Sequence, residues 1–154
     1  MMKNRLITVL SAISEKLKNN YADEGTLERT RCLLTPEINE LAGIWDLAPE
    51  EALILSGIIL RNTDHIFEQC TFQDIARTLG ISNLELTAHY PQLERLVAGD
   101  YITAEEVEIG DLPVRKSSFQ RLAVKPGIRQ FGFRYYVTDR VVGQLFLKSP
   151  NEPS

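Results

Sequence analysis

Hydrophobic residues recur along most of this chain at helical intervals, and the interval changes once, near residue 102. Leu6, Val9, Leu10, Ile13 and Leu17 fall on one helical stripe with lysines opposite, which predicts an amphipathic N-terminal helix. Asn19 to Gly25 is a polar linker that would let this helix pack loosely or swap between subunits. Thr35, Pro36 and Glu37 form a helix start, with proline at the first helical position and Ile38, Leu41, Ala42 and Trp45 as the core face. Ala48, Pro49, Glu50 and Glu51 repeat the device and launch a helix from Pro49 to Arg61. Leu53, Ile54, Leu55, Ile58, Ile59 and Leu60 make that helix apolar nearly all round, so it should be the central and most buried one.

The stretch Thr71 to Ile102 carries the sharpest local signals. Thr71 caps a helix with Phe72, Ile75, Ala76 and Leu79 on one face, and Gly80 is placed to end it in the left-handed conformation. Ser82 stands three residues before Glu85, which predicts a reciprocal capping box and a second helix with Leu86, Leu93, Leu96 and Val97 inward. Only Gly80 and Ile81 separate the two helices, a turn short enough to force them to cross. Pro91 removes a helical hydrogen bond and disfavours helical backbone at Tyr90, so a kink or break is expected there. About seven helical residues from Leu84, spanning roughly 10 Å, would precede it. Gly99 is the expected stop, and Tyr101 and Ile102 open an extended segment.

From there the apolar interval becomes two. Val107 and Ile109 alternate with acids, and Phe131, Phe133, Tyr135 and Val137 alternate with Gly132, Arg134 and Tyr136, as paired antiparallel strands do. Thr138 is placed to cap a short final helix carrying Val141, Val142, Leu145 and Phe146. The division is an N-terminal helix and linker over 1–25, a main domain over 26–147, and a tail or linker over 148–154. Over roughly residues 35–147 this order resembles a winged helix. The expected class is α+β, mostly α: a winged helix with a helical N-terminal extension, a two- to three-stranded antiparallel wing and a short C-terminal helix.

Four phrases carry a narrower likeness: LAPEEALILSGIILRN at 47–62, TFQDIARTLG at 71–80, the leucine-rich helix ending LERLVAGDYI, and YYVTDRVVGQLF at 135–146. Together they resemble the N-terminal winged-helix region that precedes the catalytic domain of some bacterial AAA-type ATPases. That resemblance implies a recognition or regulatory domain for a linked ATPase, with SPNEPS as the start of a linker. No Gly-x-x-x-x-Gly-Lys-Ser/Thr sequence occurs, so this chain has no P-loop to cradle a nucleotide's phosphates.

A net charge of −4 conceals an asymmetry: residues 1–112 carry 9 basic and 19 acidic side chains, and residues 113–154 carry 8 and 2. The balances are therefore −10 and +6. Arg115, Lys116, Arg121, Lys125, Arg129 and Arg134 form the basic block, suited to phosphates, to an acidic partner, or to neutralising the acidic half of its own fold. In a DNA reader the second helix of the crossed pair would present Asn83, Glu85, Thr87, Ala88 and His89 to base edges. It holds one cation, Arg95, against Glu85 and Glu94, which is poor provision for phosphate binding. Protein contact through that helix is the better reading, and a free-standing DNA-binding regulator using the basic block is its competitor. Arg129, Phe131, Gly132, Phe133 and Tyr136 also echo an aromatic RNA-binding strand, but the helical chain before them does not fit that motif's sheet order.

Cys32 and Cys70 lack metal-ligand spacing and are expected to be buried, reduced thiols. His65 and His89 are the only histidines, and no triad, zinc or nucleophile-elbow spacing accompanies them, so neither an enzyme nor a cofactor or metal site is expected. MMKNR before LITVLSAIS imitates a signal peptide, but Glu15, Lys16 and Lys18 end the apolar run without a cleavage site. With no run of membrane-spanning length, the expectation is a cytoplasmic protein that meets a protein partner or DNA and no membrane. The separate amphipathic N-terminal helix is suited to forming a homodimer.

Overall fold

The computed structural model describes residues 5–19, 25–106 and 133–146. These form eight helices and one two-stranded antiparallel sheet, a mostly helical α+β arrangement. In chain order they are α1 (Arg5–Asn19), α2 (Leu27–Leu33), α3 (Thr35–Trp45), α4 (Pro49–Asp64), α5 (Phe72–Leu79), α6 (Asn83–Ala88), α7 (Tyr90–Ala98), β1 (Ile102–Glu106), β2 (Phe133–Val137) and α8 (Asp139–Phe146). None of the described helices is long and apolar enough to cross a membrane.

The axis is α4. Every residue from Glu51 to Leu60 is buried, because α1, α2, α3, α5, α7 and β2 all pack around it. An apolar surface on all sides is stable in water only when every side is covered, and the neighbours supply that cover. Gly57 lets α5 approach: a Cβ there would lie 2.8 Å from Leu79 Cδ2. Leu6, Val9, Leu10 and Ile13 bring α1 into the same core. Arg5 and Lys16 on α1 pair with Glu40 and Glu37 on α3. Glu40 accepts a hydrogen bond from Arg5, which holds its carboxyl below the usual carboxylate range.

Helix α2 falls where the apolar pattern predicted nothing, and its presence alters three expectations. Leu27 and Thr30 face inward while Cys32 is exposed rather than buried, since a seven-residue helix has only one inner face. Thr35 does not cap α3: its hydroxyl donates to the carbonyls of Arg31 (3.1 Å) and Cys32 (3.0 Å) at the end of α2. Leu34 is the N-cap instead, and Pro36 still lies in the first turn. The capping box at Ser82 is only half made. Ser82 Oγ accepts from the Glu85 amide (3.1 Å), but the Glu85 carboxylate accepts from the amide of Leu27 (3.0 Å) and so caps α2. The reciprocal box appears instead at Thr71, whose amide donates to Asp74 Oδ2 (2.9 Å) while its hydroxyl accepts from the Asp74 amide (3.2 Å).

Gly80 takes the left-handed conformation (φ 71°) expected of it. At the other stop, Gly99 caps α7 but Asp100 has the positive φ, 64°. A Cβ on Gly99 would lie 2.9 Å from the Tyr101 ring, so glycine is required there by contact rather than by dihedral. Tyr101 turns inward, and its hydroxyl donates to the buried carbonyl of Trp45 (2.9 Å).

β1 and β2 pair from Ile102 opposite Val137 to Glu106 opposite Phe133. Tyr135 is buried between them and α4, and its amide donates to Cys70 O (2.8 Å), while Thr71 forms an isolated bridge with Arg134. Asn62, at the end of α4, accepts from the Val137 amide through Oδ1 (2.9 Å) and donates to Tyr135 O (3.4 Å). Cys70 is buried as expected, and that burial pushes its thiol up to about 12. Thr138 donates to Asp100 O (2.8 Å), which ties the start of α8 to the entry of β1. Trp45 Nε1 donates to Gln144 Oε1 (3.0 Å), fixing α8 against α3.

Candidate functional site

The surface presented by the second helix of the crossed pair is set by where its chain breaks. α6 ends after six residues at His89, and α7 begins at Tyr90 with Pro91 in its first turn. Proline there loses no hydrogen bond, because first-turn amides have no helical acceptor, and its fixed φ is already helical. The break expected near Tyr90 therefore occurs, and it turns Pro91 from a defect into a start signal. Replacing Pro91 with alanine should cost about 0.5–1 kcal/mol through the freer unfolded chain. In a continuous helix the same change would stabilise by roughly 3 kcal/mol. Urea denaturation gives the sign directly.

On α6 the candidate contact residues separate into free and committed ones. Asn83 is exposed, and its carbonyl accepts from Thr87 Oγ1 (2.7 Å), so Thr87 spends its donor within the helix. His89 is half-buried with Nε2 3.5 Å from Glu85 Oε1, the same oxygen that caps α2. Glu85 thus holds α2, α6 and His89 together and is not available to a partner. Leu86 is buried, whereas Leu84 is 80 % exposed. Sequence spacing gave no warning of Leu84, because it was grouped with no core stripe and carries no charge. Val97, expected in the core, is exposed instead: it lies at the edge of the buried face of α7, where Leu93 and Leu96 are the buried pair.

Charge on this surface follows the same logic. Arg95, the single cation of α6 and α7, turns back toward α4, with Nη1 3.7 Å from Glu51 Oε2. Glu51 also accepts from the Ala48 amide (3.1 Å) at the start of α4. What α6 offers outward is therefore Ser82, Asn83, Leu84 and Ala88, a neutral face with one large apolar side chain. Arg134 lies on β2 opposite Glu105, with its Nε buried and without a hydrogen-bond partner among the described residues. Arg115, Lys116, Arg121, Lys125 and Arg129 lie outside the described residues.

A second apolar exposure sits at the turn after α4, where Ile66 is 73 % and Phe67 100 % exposed. His65 and Glu68 brace that turn with a 2.9 Å pair, and Arg61 reaches both Glu68 (3.2 Å) and Asp74 (3.5 Å). Large side chains on a braced turn and on a capped six-residue helix are the kind of anchors that bury in a partner's pockets. No family model, curated protein or solved structure matches this chain.

Proposed function

We propose that this chain is a non-enzymatic winged-helix module that recognises or regulates through macromolecular contacts, as the N-terminal domain of an AAA-type ATPase would. The order supports it: a central helix, a bridge at Thr71, two consecutive helices α5 and α6, and a two-stranded antiparallel sheet whose second strand meets that bridge. One observation favours protein over DNA as the partner of α6. Its outward face is neutral and carries Leu84, while Arg95, the one cation of α6 and α7, is paired with Glu51. Phosphate neutralisation supplies much of DNA affinity, and α6 itself carries no cation to supply it.

The competing reading, a free-standing winged-helix regulator that grips DNA, rests on the +6 balance of residues 113–154. Titration with duplex DNA at two salt concentrations separates the two. The protein-contact reading expects binding weaker than micromolar at both. Micromolar or tighter binding that falls steeply with salt would overturn it, and charge reversal at Arg121 and Lys125 should then abolish the binding.

A further inference from the structure

Five of the ten lysines and arginines on described residues are held in ion pairs: Arg5, Lys16, Arg31, Arg61 and Arg95. Of the other five, Arg140 donates to Gly99 O and stacks on Tyr101, and Arg134 lies in the sheet. The remaining three, Lys18, Arg29 and Arg77, line a single cleft of about 630 Å³ between α1, α2, α4 and α5. They come from sequence positions far apart, in the part of the chain where acids exceed bases by ten. Self-neutralisation would have scattered them among carboxylates, yet none of the three is in an ion pair among the described residues.

Helix dipoles explain part of this arrangement and not the rest. Lys18 and Arg77 occupy the last turns of α1 and α5, where a cation complements the negative end of the helix. Arg29 is in the first turn of α2, where the dipole opposes a cation. Nor are the cations needed as donors to the carbonyls beside them: Leu79 O accepts from Thr30 Oγ1 (3.0 Å) and Gly80 O from the Gly25 amide (3.2 Å). Among the described residues Asp64 is the one carboxylate on the wall, and His65 at the rim is paired with Glu68. Three cations less one carboxylate leave a formal charge of +2. Leu17, Leu33 and Leu60 form apolar parts of the same wall.

We propose that this cleft binds a small phosphomonoester, with the phosphate held by Arg29, Arg77 and Lys18 and the organic body against the leucines. A phosphomonoester carries about −1.5 to −2 charges near neutral pH, which matches the wall. Two guanidinium forks suit its tetrahedral oxygens, and the volume falls within the range of roughly 300–1,000 Å³ typical of small-ligand sites. Because the wall is built from four helices, an occupant would tie α1 and α2 to α5. Binding should therefore raise the melting temperature.

Calorimetry and thermal melts of the full chain test this with adenosine monophosphate and ribose 5-phosphate, against inorganic phosphate, a phosphoserine peptide and chloride at matched ionic strength. The expected result is saturable one-to-one binding of at least one of the two esters, tighter than inorganic phosphate, with a raised melting temperature. Arg29→Gln and Arg77→Gln should each weaken it by about tenfold or more, the loss of one charge-assisted contact, and Arg29→Gln should do so without lowering the ligand-free melting temperature. Binding by neither ester, binding unchanged in both variants, or a stabilisation that chloride reproduces would overturn the proposal. Capture of the phosphoserine peptide alone would replace it with a peptide site.

Discussion

Replacing Ile58 with alanine should lower the free energy of unfolding by about 3 kcal/mol, within the ~2–5 kcal/mol span of isoleucine-to-alanine changes in cores. Ile58 is fully buried on α4, the helix against which α1, α2, α3, α5, α7 and β2 pack. Losing its branched side chain removes transfer free energy and leaves a cavity that rigid neighbours fill poorly. Alanine's better helix propensity returns only about 0.5 kcal/mol, so the cavity decides the sign. The measurement is the urea midpoint at unchanged slope, with Ile44→Ala as a comparison. Ile44 is 45 % exposed on α3, and its replacement should change stability by no more than about 0.5 kcal/mol. Equal losses at the two sites would show that α4 is not the buried axis.

Asn62→Ala should cost about 1–3 kcal/mol, the penalty of leaving a part-buried polar group without its partner. One edge of β2 is paired with β1; along the other, Cys70 O takes the Tyr135 amide and Asn62 takes the Val137 amide. Alanine offers no acceptor, so Val137 N–H loses its 2.9 Å bond and Tyr135 O its longer 3.4 Å one. The effect should be local before it is global. Hydrogen exchange at Val137 should quicken more than at Tyr135, whose acceptor is main chain. Unchanged protection at Val137 would mean that another group satisfies that amide.

Legibility of the candidate surface differed residue by residue. That α6 would be short was readable from Pro91, because proline's missing donor and fixed φ act locally. That Pro91 would open α7 was not, since it depends on where the chain restarts after His89. Glu85 shows the same limit from another side. Its spacing from Ser82 fits a capping box, but the amide of Leu27, fifty-eight residues earlier, takes its carboxylate. Lys18, Arg29 and Arg77 gave no signal as a group, because nothing in their spacing states that they share a wall.

By itself, the sequence determined the features governed by neighbours along the chain. These are the caps at Thr71 and Ser82, the left-handed stop at Gly80, the all-round burial of α4 and the change to a two-residue interval at β1. Each depends on backbone dihedrals or side-chain direction within about one helical turn, which local residue type controls. Tertiary structure decided α2, whose seven residues are too few to be stable alone and are held by Glu85 at one end and Thr35 at the other. It also decided which charges are already paired and which stand together unpaired, because partner and competitor are chosen by distance in space.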